Sequence, residues 1–516
     1  MKTKDLFTLI LSFLILILTG PAYSWQGRMT GMGDPYGLVK DESDFLIHPA
    51  GIANGQGVRF YGDYRFNWGN VKNWNYTMND VRGYWGYIPL TGSGDELKHA
   101  SLLGAAFPMG LGRMGLFLQY VHKRGDYDGR EDEWNNGISA THRYNLESDL
   151  DTFALRLLYG LPMGGFKIGG EIQLAYRQEE NKTYFDKAPG GGIHDYWTNT
   201  ILGSFLPYLN TFPFMFPYNS NYWESLLKGS LEGAIGPAKI TFTGWGSIIF
   251  GGDNKLDFNC TRQASNSGSL NMNGDVKGMK TGGEFWLRYP LAQDLSLPVI
   301  IKAEYQETSR DGYGSSTGIF QQIGPANSDY KNEEKIFHLE TGAGLDKEFT
   351  KGTSIAVGFY YGYIKNENNF VLNGSNSIIS QIWDSSNYPD TTEHRITLRI
   401  AGEKELTPMF SIKMGLNLFY GWVKEDFKFT YADTSGSSLS DKFSLDGSHW
   451  GIGGSLGATV KFKRVSLEPF ICGGYQKLDL GGDGINTWHP ASQYDVEIKR
   501  GEWFIGGGAS IKFDIY

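Results

Sequence analysis

The stretch LPMGGFKIGGEIQLAY, Leu161–Tyr176, decides the fold. Pro162 and Gly164-Gly165 supply a tight chain reversal. Beyond it, Phe166, Ile168, Gly170, Ile172, Leu174 and Tyr176 share one face, and Lys167, Glu171, Gln173 and Arg177 share the other. A period of two with one apolar face describes a β-strand standing between an apolar phase and water. The segment before the turn alternates in the same way, with Phe153, Leu155, Leu157 and Tyr159 opposing Arg156. Two alternating arms around a tight turn make an antiparallel hairpin.

The unit recurs along the chain. FPMGLGRMGLFLQY (Phe107–Tyr120), YPLAQDLSLPVIIKAEY (Tyr289–Tyr305) and LTPMFSIKMGLNLFY (Leu406–Tyr420) each hold a turn between alternating arms. Further turns fall at Gly236-Pro237, Lys351-Gly352 and Lys463-Arg464. The apolar runs are about 10–12 residues long, as a tilted membrane strand requires, and short turns alternate with long polar connections. The chain's 70 glycines and 15% aromatic content suit such a wall better than a soluble β-sandwich, the competing source of the same alternation.

The expected fold is therefore all-β: a transmembrane antiparallel β-barrel of about sixteen strands, fourteen being the alternative. The first strand starts near Val58 and the last near Lys499. An even count leaves both termini on the periplasmic side. Pro469 falls within an internal strand, where it predicts a bulge that curves the wall, or else a lateral exit. In the last strand Ile511, Phe513 and Ile515 are in phase, whereas the terminal Tyr516 is one residue out.

Lys2 and Lys4, the apolar run Leu6–Leu18 and Ala22-Tyr23-Ser24 read as a signal peptide cleaved after Ser24. The divisions are 1–24 (signal), 25–57 (a segment left over before the first strand) and 58–516 (barrel). A net charge of −9 argues against nucleic acid as a partner. Cys260 and Cys472 are too few for a disulfide framework, and a bond between them is left open. No catalytic or metal-binding motif is present, so no enzymatic activity, metal or cofactor is expected.

The left-over segment carries Gly31-Met32-Gly33, then Asp41-Glu42-Ser43-Asp44, then His48-Pro49-Ala50-Gly51-Ile52. It resembles the N-terminal hatch of the FadL-type outer-membrane transporters for long-chain fatty acids and hydrocarbons. That family has Asn-Pro-Ala where this chain has His48-Pro49-Ala50. The remainder of the chain matches only in barrel architecture. The resemblance implies a periplasmic hatch inside the lumen, built on Gly31, Gly33, Asp41, Asp44, His48, Pro49 and Ala50. The family has fourteen strands, and a kink in its third strand opens the wall; here the third segment, from about Met114, has Gly115 but no proline.

Two sets of residues are candidates for ligand contact. The connection FLPYLNTFPFMFPY (Phe205–Tyr218) is unusually apolar. By the resemblance, its Phe205, Phe212, Phe214 and Phe216 capture an apolar ligand; packing within the loop is the competing reading. On the polar face, Arg156, Arg177, Lys302 and Arg399 are candidates for a carboxylate head group, set against a plain wall of cross-strand ion pairs. The expected function is uptake of an apolar small molecule across the outer membrane of a Gram-negative bacterium. A porin for polar solutes, or a barrel anchoring a secretion or electron-transfer partner, are the alternatives. Expected partners are outer-membrane lipid and lipopolysaccharide, a hydrophobic small molecule, and the barrel-assembly machinery during insertion. The oligomeric state is not legible.

Overall fold

The computed structural model describes residues 29–30, 32–33, 35, 37–39, 41–80, 87–135, 138–186, 218–260, 268–316, 328–350, 352–374, 383–432, 438–486 and 492–515. The cleavage site after Ser24, Gly31, Phe205, Phe212, Phe214, Phe216 and Tyr516 lie outside the described residues.

Among the described residues, seventeen strand segments pair in chain order, from β1 (Val58–Asp80) to β17 (Ser492–Ile515), each antiparallel to its neighbour. β1 also pairs with β17, Val58 opposite Ile515, so the sheet closes into a barrel. Closure removes every exposed edge.

β15 (Val465–Leu467) and β16 (Phe470–Asn486) form a single stave, so the ring has sixteen. The register against β14 (Ser438–Phe462) is unbroken, from Val460↔Leu467 to Gly457↔Phe470. The register against β17 also holds, from Leu467↔Ile511 to Phe470↔Gly508. This corrects the expectation at Pro469: no residue is inserted, so there is no bulge. Ala458 donates to the Pro469 carbonyl at 3.0 Å, and Glu468 exchanges both backbone bonds with Ser510. What breaks the strand is the N–H that proline lacks. The third strand, β3 (Gly112–Asn135), keeps constant register with β2 (Tyr87–Met109) and with β4 (Ile138–Met163).

The hairpin turns sit where the sequence places them. Gly110, Gly164 and Gly236 take φ near +60° as the first of two turn residues, the conformation that fits the twist of the flanking strands. Lys463 adopts the same left-handed region without being glycine. Val58 and Ile515 lie at this turn end, as the even count requires.

Most strands run well beyond a bilayer. β4, for example, has 26 residues, whereas about 9–11 cross the hydrocarbon. The apolar alternation is confined to the turn-end half. There Phe166, Ile172 and Leu174 on β5 (Phe166–Asp186), and Phe153, Leu155 and Leu157 on β4, all point outward and are exposed. At the far limit of this belt an aromatic row crosses part of the wall. Tyr120, Phe153, Tyr176, Trp223 and Phe250 are successive cross-strand partners over five staves. Tyr120–Phe153 and Tyr176–Trp223 ring centroids lie 4.6 and 5.2 Å apart. A belt of exposed aliphatic residues bounded by aromatic rings is the surface a bilayer covers, and a soluble sandwich would bury it.

Candidate functional site: the N-terminal plug

The described residues between Met29 and Gly57 lie inside the barrel at its turn end. Two short 3-10 helices order the segment, Glu42–Leu46 and Pro49–Asn54. Asp41 caps the first: its carboxylate accepts from the Ser43 N–H at 2.8 Å, and the Asp44 carboxylate accepts from the Asp41 N–H at 2.9 Å. Two of the acidic residues thus satisfy helix-end amides reciprocally. Pro49 opens the second helix, where its fixed φ suits the first turn.

Apolar contacts hold the plug on two sides. Phe45, Leu46 and Ile52 are buried with Tyr61, Leu102, Phe117 and Leu158 of the first four strands. The Phe45 ring meets Tyr61 edge-on at 5.8 Å. On the other side Met29, Met32, Leu38 and Val39 pack on Ala356 of β11 (Thr353–Gly374) and Ala401 of β12 (Trp383–Thr407). Burial of each large side chain contributes about 1.5–3 kcal/mol.

Glycines in the wall let the plug backbone come close. A Cβ on Gly169 would stand 2.1 Å from the Ala50 nitrogen, and one on Gly415 would stand 2.1 Å from the Met32 carbonyl. Gly33, with φ +79°, turns directly against Gly415. Only glycine permits such an approach of two backbones.

Polar contacts fix the plug in register. Ser230 Oγ accepts from the Ala50 N–H at 2.6 Å. The Leu46 carbonyl accepts from Arg156 at 2.8 Å and from Lys228 at 3.1 Å, while Glu171 bridges the same two cations. Arg113 donates to the Gly57 carbonyl at 2.6 Å, and Arg288 donates to the Leu38 carbonyl at 2.6 Å. His48 Nδ1 lies 2.6 Å from Thr243 Oγ1, and its ring stands edge-on to Trp286 at 4.2 Å.

Glu42 meets the barrel at its closing seam. It pairs with Arg59 of β1 and with Lys512 of β17, the latter at 2.8 Å, and Tyr61 donates to it at 3.1 Å. Arg59 continues to Asp514 at 2.6 Å. Burial pushes the Glu42 carboxyl up, but Lys512 and Arg59 outweigh burial and hold it below the usual carboxylate range.

The polar-face candidates point into the lumen, each in its own partnership. Arg156 belongs to the plug seat described above. Arg177 pairs with Glu224 at 2.6 Å. Lys302 lies over the Trp245 ring at 5.9 Å. Arg399 pairs with Glu340 at 3.3 Å and stacks over Tyr360 at 4.1 Å. Among the described residues no group of His, Cys, Asp or Glu is arranged to hold a metal. Cys472 Sγ lies 3.7 Å from Asn67 Oδ1.

The sequence places Lys228 and Arg288 on the polar face but gives neither a role at the plug, and it does not mark Ser230 or Thr243 at all. Polar residues alternate on every strand, and nothing local marks those that meet the plug. The D-x-x-D spacing of Asp41 and Asp44, by contrast, is a capping signal visible in the sequence.

Comparison with solved structures finds likeness over nearly the whole chain at low identity. The P. putida toluene transporter TodX is 10% identical with a TM-score of 0.36, covering 96% of this chain and 99% of that one. A Pseudomonas aeruginosa FadL homologue is 9% identical with a TM-score of 0.38, covering 96% and 99%. The Ralstonia pickettii toluene transporter TbuX is 10% identical with a TM-score of 0.37, covering 97% and 100%. No protein-family model matches the chain, and no curated protein sequence matches it.

Proposed function

We propose that this chain is an outer-membrane channel of a Gram-negative bacterium for apolar small molecules such as long-chain fatty acids or hydrocarbons, with residues 25–57 as its hatch. One observation carries the reading: a segment outside the barrel wall occupies the turn end of the lumen, and the wall is recessed at Gly169 and Gly415 to receive it. A sixteen-strand barrel without a plug leaves an aqueous channel. A resident plug suits a conduit that must exclude water-soluble molecules while passing a selected one. The substrate class rests on the resemblance of the hatch segment. Capture on the connection containing Phe205, Phe212, Phe214 and Phe216, and steering of a carboxylate by Arg177, Lys302 and Arg399, belong to the same proposal. Transport down a gradient requires no catalysis.

A porin for polar solutes is the second reading, favoured by the paired charges on the lumen wall, such as Arg177–Glu224 and Arg399–Glu340. Uptake by vesicles with a lipopolysaccharide outer leaflet that contain the full chain, measured against protein-free vesicles, separates the two. The first reading expects oleate to enter and a sugar of similar mass to stay out, with Phe212→Ser plus Phe216→Ser slowing oleate. Free entry of the sugar supports the porin.

A further inference from the structure

The plug is clamped unevenly. Apolar packing holds it to the first four strands and to β11–β12. Towards β7 (Ala238–Cys260) and β8 (Gly268–Ala292) the contacts described above are few and polar or edge-on: His48 with Thr243 and Trp286, and Arg288 with the Leu38 carbonyl.

A cavity of about 510 Å³ lies on this side, bounded by Phe45, His48 and Ile52 of the plug and by Thr241, Trp286 and Arg288 of the wall. A second cavity, of about 690 Å³, lies among the turns, lined by residues such as Pro237, Pro290, Thr353 and Pro408, with Val39 at its plug side. Both are lined by Lys239 and Arg288, which are direct cross-strand partners. The guanidinium of Arg288 stands at this junction. It donates to the Leu38 carbonyl at 2.6 Å, to Asp346 at 2.5 Å and to Ser296 at 2.8 Å, tying the plug to β9 (Leu295–Ser316) and β10 (Ser328–Thr350).

We infer that solute leaves for the periplasm beside the seated plug, through these two cavities, with Arg288 as the strut that closes their junction. The inference rests on the channel reading and adds a route to it. Opening this route breaks one three-point side-chain contact, whereas ejecting the plug breaks both apolar clusters and the polar contacts together. The solute it suits is an amphipathic monocarboxylate. Phe45, Ile52 and Trp286 offer an apolar wall, and the adjacent cations Lys239 and Arg288 meet a carboxylate at the exit.

The test staples the plug in place. In a Cys260→Ser, Cys472→Ser background, Ala50→Cys with Ser230→Cys is oxidised, the pair being chosen because the Ala50 amide lies 2.6 Å from Ser230 Oγ, and disulfide formation is verified by mass before the assay. Full-length protein in vesicles with a lipopolysaccharide outer leaflet is then assayed with laurate, and entry into matching protein-free vesicles is subtracted. Stapled protein is expected to retain the laurate uptake of its own reduced form. Thr241→Cys, labelled with a bulky maleimide, is expected to lose it. Loss of uptake on stapling, or full uptake with Thr241→Cys completely labelled, overturns the side passage while leaving the channel intact. Laurate uptake absent from the unlabelled parent removes the channel reading itself, and the passage with it.

Discussion

A methyl group on Gly169 of β5 would stand 2.1 Å from the amide nitrogen of Ala50 in the plug. The wall at this point is shaped for a second backbone, and the neighbouring strand supplies Ser230 to accept the Ala50 N–H. Gly169→Val is therefore expected to lift the second helix of the plug. Overpacking of this kind costs about 1–3 kcal/mol. The variant should still insert, but the segment 41–57 should become sensitive to protease added from the periplasmic side. Protection equal to that of the parent would show that the plug does not need this recess.

Glu42 gives the plug a dependence on acid. Its carboxyl is held below the usual range in the folded state, because Lys512 and Arg59 outweigh the opposing effect of burial. Its contribution is present above the carboxylate's ordinary range and is lost as pH falls through the lowered folded value. Ion conductance across a planar bilayer should accordingly rise on acidification. Glu42→Gln should conduct more than the parent at neutral pH and should lack the Glu42 component of the acid response. Identical pH profiles for the two proteins would remove Glu42 as the latch.

His48→Asn separates the two contacts of that side chain. Asparagine retains a polar group towards Thr243 but gives up the edge-on contact with Trp286. An aromatic pair contributes about 0.5–1.5 kcal/mol beyond its buried area. The variant should raise plug protease sensitivity modestly, and His48→Ala should raise it further. Equal effects of the two substitutions would assign the whole contribution to the ring.

The outward belt makes a prediction about insertion. Ile172 is 54% exposed on the lipid face, and its neighbour Gln173 faces the lumen. Ile172→Arg should destabilise the folded barrel by about 2–4 kcal/mol if the residue lies near the bilayer midplane. Gln173→Arg should cost far less. Urea titration of the barrel in lipid vesicles measures both, and equal costs would contradict the assignment of faces.

The barrel was legible because its signals are local. Most turn-end hairpins carry Gly or Pro in or beside the turn, Lys463-Arg464 being an exception, and Phe166–Tyr176 shows its faces through spacing alone. The upper halves of the strands were not legible. Beyond the aromatic row, in stretches such as β4 from Ile138 to Leu150, the period of two fades from the sequence. The plug was readable as a segment left over before Val58, and its acidic cluster as a feature. The partners were not: Leu46 with Arg156, or Glu42 with Lys512, are joined only by closure of the ring. Pro469 shows the opposite limit. Its sequence signal was plain, yet bulge and in-register gap differ only in how the neighbouring strands pair.

The plug's role is tested most directly by conductance. Full-length protein and a variant lacking residues 32–51 are placed in planar bilayers under the same salt and voltage. The plug account expects the intact barrel to be nearly closed and the shortened one to open a steady, water-filled pore. Equal conductance from the two proteins would contradict it.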